Sequence, residues 1–328
     1  VTALAQRAMS DGMTRLALTD TNVLYGAVAF TRACQAAGIL PITGMLVNVT
    51  LPEDLAAQSS SLHGSGCLVL LATGPAGYSS LCTLSSLIQA RPDRLSASAR
   101  GLSLDDLRLH RDGLICLEGG HKGWVSRALR ADARHVAHRF AGRLAGVFGE
   151  NNTFLSIELH GEDDLPVARS IVAMGEFLGL DRVAVQPVYG LEPESMPRLR
   201  LLAAIQNNCR IDEVPEDSLP LGGDPSAVVH WLGPCEAVAH FAAFPDALAR
   251  VSEVADRCQP ALPERTAIWP VLELPDNQTP NQALAGLAQA GLTRKYAPDA
   301  ATSVHERLAH ELTVIGQHGY APLFLVVA

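Results

Sequence analysis

The chain has 328 residues, 48% of them hydrophobic and 18% charged, with a formal net charge of −9. That length and apolar fraction bury a sizeable core in one large domain or two and exclude a disordered chain. An acidic balance with only two lysines, Lys122 and Lys295, excludes a self-sufficient nucleic-acid-binding surface, which needs clustered Lys and Arg against phosphates.

In chain order, the Ala-rich helical spacing over residues 1–10 predicts a helix that stops at Asp11-Gly12. The apolar run 15–18 then closes on Thr19-Asp20 and reads as a buried parallel strand with Asp20 at its C-terminal end, the rim where α/β folds carry their chemistry. Equally, Asp20 or Asn22 can cap the next helix through a side-chain oxygen. A helix over 25–37 stops at Gly38, a strand covers 39–49 with Pro41 near its start, and the polar, Ser-rich 51–66 reads as a surface loop. A strand at 67–72, a helix at 77–90 and a loop at 91–101 follow, and Ser103 with Asp106 spells a capping box. Strands at 114–117, 154–159 and 182–185 alternate with helices at 124–129, 131–148 and 165–178. Such alternation predicts parallel strands joined by crossover helices, in a barrel or an open sheet. Beyond about residue 205 helices dominate (235–244, 246–258), then a Pro-punctuated linker (260–280), helices at 281–296 and 303–317, and an apolar strand at 323–327 without a visible partner. No apolar run reaches the roughly 18 residues of a membrane span and no signal-peptide pattern opens the chain, so a cytoplasmic location is expected.

Several stretches resemble the PHP (polymerase and histidinol phosphatase) domain of bacterial DNA polymerase III alpha subunits. Ala17-Leu-Thr-Asp20 followed by Leu24-Tyr-Gly26 is similar to that family's Ala-Leu-Thr-Asp-His and Leu-Tyr-Gly, with Thr21 where the family has a metal-binding His. Gly38-Ile-Leu-Pro-Ile-Thr-Gly44, Leu68–Ala72 with Gly77-Tyr78 and Leu81-Cys82, and Ile157-Glu158-Leu159 after Phe148-Gly149 match further segments in order. Gly119, Lys122 and Gly123 fit a Gly-Cys-x-Lys-Gly turn in which Gly120 replaces Cys. Near the end, Glu306-Arg307-Leu308, Glu311-Leu312, Val314-Ile315, Gly319-Tyr320 and Phe324–Val327 resemble the approach to the family's palm domain. The resemblance implies an α/β, PHP-type (β/α)7-like barrel, incomplete at its N-terminus, over 1–212, a helical extension over 213–262, and a linker with the beginning of the palm region over 263–328. It also implies a fragment, with the His-x-His of the family's first strand and the palm carboxylates outside it.

A PHP cleft holds its metals with His, Asp and Glu from strand ends, because phosphate-ester hydrolysis needs a metal-bound hydroxide and charge neutralisation. Measured against that pattern the ligand positions are eroded to Thr21, Leu46, Pro187 and Tyr189, and neither Leu nor Pro can ligate through a side chain. Asp20, His121, Glu158 and His160 remain as candidates for a vestigial cleft. The plainer reading has Asp20 capping a helix, Glu158 paired and the two histidines solvated in loops. Asp105-Asp106 and Asp163-Asp164 read as solvated caps or turns, His135 and His138 as exposed helix polarity. The seven cysteines, scattered and never Cys-x-x-Cys, read as buried thiols. No nucleophile elbow, P-loop or dinucleotide fingerprint is present.

The expectation is therefore a non-catalytic piece of a polymerase III alpha-type subunit, with no catalytic residue, cofactor or metal of its own. Mg2+ and DNA would belong to the full polymerase, and other replisome subunits, a proofreading exonuclease among them, would be the docking partners. The alternatives are a metal-dependent PHP phosphoesterase or 3′–5′ exonuclease, and an interaction barrel unconnected with DNA synthesis.

Overall fold

A computed structural model describes residues 1–90, 101–263, 272–275, 277–296 and 301–327. The chain divides into two compact units, Val1–Leu262 and Pro263–Ala328.

The first unit is built on six strands, β1 (Arg15–Thr21), β2 (Leu40–Val49), β3 (Gly66–Ala72), β4 (Leu114–Glu118), β5 (Thr153–Ile157) and β6 (Asp181–Ala184), which lie side by side in chain order. β1 pairs parallel with β2, and β4, β5 and β6 pair parallel in turn. β3 runs antiparallel to both neighbours, with Leu46 opposite Val69 and Leu68 opposite Glu118. This corrects the all-parallel expectation. Between β2 and β3 the only helix is the four-residue α3 (Glu53–Ala56), too short to span the sheet as the crossover helix that usually joins parallel strands. The reversal carries the start of β3, with Cys67, to the rim formed by the C-terminal ends of the other strands.

The remaining helices of this unit are α1 (Thr2–Ser10) and α2 (Ala27–Ala37) before α3, then α4 (Pro75–Gln89), α5 (Leu104–Leu109), α6 (Trp124–Arg130), α7 (Arg134–Phe148), α8 (Leu165–Leu178), α9 (Met196–Asn207), α10 (Pro234–His240) and α11 (Pro245–Arg257). The pleat sends alternate residues to opposite faces. Leu68, Leu70, Cys116, Leu155 and Ile157 join the large core under α4, α7 and α8, and Ile42, Leu71, Ile115, Leu117, Phe154 and Val183 line the other face, closed by Val254 and Cys258 of the α11 end. The local signals act as their chemistry dictates: α2 ends at Gly38 in a left-handed turn, and the Ser103 hydroxyl accepts the Asp106 amide at 3.1 Å while Asp106 accepts the Ser103 amide.

Two local readings need correction. The expected surface loop 51–66 contains α3, whose Leu55 is fully buried. α9 has no counterpart in the sequence reading. It buries only its small side, Ala203 and Ala204, and turns Leu201, Leu202 and Ile205 outward. The loop expected at 91–101 and much of the Pro-punctuated stretch lie outside the described residues.

The second unit holds α12 (Pro280–Lys295), opened by a Thr279–Gln282 capping box, α13 (Thr302–Gln317) and α14 (Ala321–Val327). The run expected as a terminal strand is therefore a helix. Its described buried apolar residues are Ala283, Leu284 and Ala321, while Leu287, Leu323, Phe324, Val326 and Val327 are exposed.

Candidate functional site

At the rim, β1 ends in Asp20 opposite Met45 of β2 and Thr21 opposite Leu46. Asp20 shares its face with Leu16 and Leu18, which pack on α1 and α2, and its Oδ2 accepts the Gly26 amide at 2.9 Å, just before α2. The carboxylate thus reaches back to the backbone just before α2 from six residues upstream, while α2 itself carries no side-chain cap. Thr21 and the half-buried Leu46 are left on the opposite face of the sheet. The adjoining Asn22, buried and in a left-handed conformation (φ 60), accepts the Asn48 amide at 3.0 Å.

The β4–β5 side is charged. The strand-end turn Gly119–Gly123 follows Glu118, and the backbone amide of His121 donates to Glu158 Oε2 at 3.1 Å. A side chain at Gly120, where φ is +56, has no room, since its Cβ would fall 1.7 Å from Glu158 Oε2. Glu158 Oε1 pairs with His160 Nε2, and His160 Nδ1 lies 2.7 Å from the Val228 carbonyl. The His160 amide donates to Asp164 Oδ2 at 2.8 Å, and Arg130 Nη2 donates to Asp164 Oδ1 at 2.6 Å. His121 Nδ1 stands 3.8 Å from the same oxygen, an ion-pair separation and too long for a hydrogen bond.

The electrostatics follow from these contacts. Burial opposes charge on His160, but the Glu158 hydrogen bond and charge outweigh it and raise its pKa. Burial likewise opposes ionisation of Asp164, yet the approach of His121, the His160 amide and Arg130 hold its carboxyl well below the usual range. Glu118 is fully buried. Its Oε1 accepts the Val125 amide at 3.1 Å and its Oε2 has no hydrogen-bond partner, so desolvation, helped by the Glu158 charge, lifts its pKa to about 8.

Of the four candidates, then, His121, Glu158 and His160 come together and Asp20 does not join them. His160 is buried rather than solvated in a loop, and Asp164, expected in a solvated turn, is buried too. Pro187 is half-buried, and Tyr189, 42% exposed, donates its amide to the Val229 carbonyl at 2.8 Å. Sequence reasoning passed over Glu118 and Arg130. A single carboxylate closing the apolar run Leu114–Leu117 was the available signal for the first, while nothing local marks the second. His138 stacks edge-on against Phe177.

These residues do not fit the metal cluster that a PHP cleft implies. Both ring nitrogens of His160 are engaged, as are both oxygens of Glu158 and of Asp164, and the place of a side chain at position 120 is filled by Glu158. Among the described residues no group of three or more His, Cys, Asp and Glu side chains is arranged around a common point for a metal.

Residues 1–160 match the PHP domain family. Along 99% of its length the chain is 32% identical to an error-prone DNA polymerase of Symbiobacterium thermophilum, of which it covers 29%. It is 28% identical, along 100% and 96% of its length, to the DNA polymerase III alpha subunits of Halalkalibacterium halodurans and Bacillus subtilis, covering 27% and 26% of them. The chain spans less than a third of the length of these relatives. An amidohydrolase structure from Chromobacterium violaceum aligns with 56% of this chain and 80% of its own at a TM-score of 0.38 and 14% identity, too distant to bear on the site. The resemblance read from the sequence, and the α/β PHP-type fold with it, hold. No helix among the described residues is long and apolar enough to cross a membrane.

Proposed function

From a chain whose first 160 residues carry a PHP domain, and whose whole length is similar to polymerase III alpha subunits, we propose a non-catalytic PHP module of a DNA polymerase of that type, acting in replication or repair synthesis as a structural and docking element. DNA, Mg2+ and nucleotide transfer belong in this reading to the polymerase as a whole. Other replisome subunits, a proofreading exonuclease among them, are the partners of the module.

The observation that supports this best is the internal engagement of the β4–β5 side chains. A hydrolytic PHP cleft needs lone pairs free for a metal and a metal-bound hydroxide, and here His160 and Glu158 spend theirs on each other, on Val228 and on the His121 amide. No alternative nucleophile is activated nearby. The Cys67 thiol, for example, is pushed up to about 11 by burial and so is not a thiolate at neutral pH. The test is elemental analysis of protein purified without chelator, with assays on a chromogenic phosphoester and on single-stranded DNA in added Mn2+ or Zn2+. Absence of turnover is expected. Stoichiometric zinc or manganese with turnover that Asp20→Ala abolishes would replace this reading with the phosphoesterase.

A further inference from the structure

We infer that the end of the sheet opposite the rim carries an anion site, formed by Arg111 and Arg257, that takes an organic phosphate monoester. The site shares no residue with the rim cleft and stands apart from the docking role proposed above.

Its place follows from the topology. β4 runs from Leu114 to Glu118 and β5 begins at Thr153, so the segments before these strands lie away from the rim, by about 13 Å along β4. The reversed β3 brings its last residues to the same end. Ala72 is opposite Leu114, and Thr73 donates its amide and its hydroxyl to the Gly113 carbonyl at 2.9 and 3.0 Å. Arg257, at the end of α11, joins them by donating Nη1 to the Asn151 carbonyl at 2.7 Å and Nη2 to Asn152 Oδ1. A cavity of about 460 Å³ lies between these segments, with Arg111, Asp112, Phe148 and Arg257 in its lining. Small-molecule sites occupy ~300–1,000 Å³.

The lining has the donors of an anion receptor. Arg111 donates Nη1 to the Val147 carbonyl at 2.7 Å, and among the described residues its Nε and Nη2 have no hydrogen-bond partner. Those two N–H groups form one edge of the planar guanidinium, the fork that meets two oxygens of a phosphate at once. Arg257 has both terminal nitrogens engaged and its head 5.8 Å from the centre of the Phe154 ring, which leaves Nε. Three N–H groups are thus available, one for each terminal oxygen of a phosphate monoester and one more than a carboxylate has oxygens. Both heads are already anchored to the backbone or to Asn152, so a ligand immobilises little that is not fixed.

Charge points the same way. Among the described residues neither arginine is ion-paired, and Asp256, the acid beside Arg257 in sequence, stands 3.2 Å from Arg15 instead. Asp112, exposed, is the acid of the described lining. Two cations against one exposed carboxylate leave a positive spot on a chain whose formal charge is −9, and a phosphate monoester brings about −1.5 to −2 at neutral pH. Phe148, buried, adds an apolar wall that inorganic phosphate would leave uncovered and an organic body of nucleoside size would cover.

The experiment is calorimetric titration of the whole chain at low ionic strength with dAMP, deoxyadenosine, inorganic phosphate, and short single-stranded DNA with and without a 5′-phosphate. dAMP is expected to bind at one site, inorganic phosphate more weakly and deoxyadenosine not at all. Binding of 5′-phosphorylated DNA in preference to both dAMP and hydroxyl-ended DNA would support the site and put the monoester on a DNA end, whereas preference for dAMP would support it as a site for a free nucleotide. Absence of binding by every phosphorylated probe at millimolar concentration would overturn the inference, and inorganic phosphate bound as tightly as dAMP would overturn its organic part. Arg111→Ala is expected to weaken dAMP about tenfold, and Arg111→Lys, which keeps the charge and loses the fork, nearly as much. Arg111→Lys equal to wild type would overturn the role of the fork. Asp112→Asn, which removes a nearby negative charge, is expected to tighten dAMP about threefold, and unchanged or weaker binding would overturn the placement of the phosphate. Both variants lie on the exposed wall, so the test does not depend on Arg257, whose contacts with Asn151 and Asn152 also hold the fold.

Discussion

At the β1–β2 side of the rim Asp20 turns back to the helix layer and leaves Thr21 and Leu46 on the opposite face, whereas at the β4–β5 side Glu118, Glu158 and Asp164 keep their carboxylates inside and match them with amides, His160 and Arg130. One side has given up charge and the other has kept and neutralised it. The difference teaches that acidic side chains at one strand rim can be accommodated in two ways, by turning outward to backbone or by being matched from within the fold. Where buried carboxylates persist they must be paired, since an unpartnered buried charge costs more than the pairing returns.

The comparison can be broken by substitution. Asp164→Ala strips Arg130 and the His160 amide of their acceptor and is expected to lower unfolding stability by about 3 kcal/mol, read from urea denaturation. Gly120→Ala forces a left-handed residue and displaces Glu158 Oε2, and about 2 kcal/mol of loss is expected in the same assay. Asp20→Ala, which removes only the acceptor before α2, should cost about 1 kcal/mol. An Asp20→Ala loss exceeding that of Asp164→Ala would invert the assignment of structural weight to the two sides.

Acidity sharpens it further, with a smaller expected effect at any one pH. Glu118, raised to about 8 from 4.5, binds its proton more tightly in the folded state. Its contribution is complete below pH 4.5 and is lost as pH rises toward 8. His160, also raised, acts in the same direction, its contribution being complete below its ordinary value of 6.5 and lost above it. Asp164, depressed, contributes above its ordinary 3.8 and loses that contribution on acidification. The urea midpoint should therefore fall between pH 5 and 8. Glu118→Gln should flatten the decline, and a midpoint that rises through this window in the wild type would contradict the burial of Glu118 as a neutral acid.

Much of this was written locally in the chain. Apolar runs bounded by Gly and polar residues located every strand of the sheet, and Gly38 and the Ser103–Asp106 box marked helix ends where they occur. Strand direction was not legible, because an apolar run such as Cys67–Ala72 reads the same both ways and its polarity depends on how residues 50–65 return. Leu323–Val327 is short enough that periodicity cannot separate strand from helix. At the site, Glu158 and His160 were visible because they close a strand. Asp164 was not, since its burial depends on Arg130, 34 positions away, and on the His160 amide. The pairing of Asp20 with the helix side could be foreseen only as one of two options, because a one-residue shift in the pleat decides it.

Helix α9 has a practical consequence of its own. With Leu201, Leu202 and Ile205 at 51%, 61% and 68% exposure on one side, and Arg198 beside them, three large side chains stand in water where most helices would set Lys or Glu. Association through this helix should strengthen in sulfate, which favours apolar contact through exclusion from the surface. Leu202→Lys is expected to raise the ammonium sulfate concentration at which the protein precipitates, without altering its melting temperature.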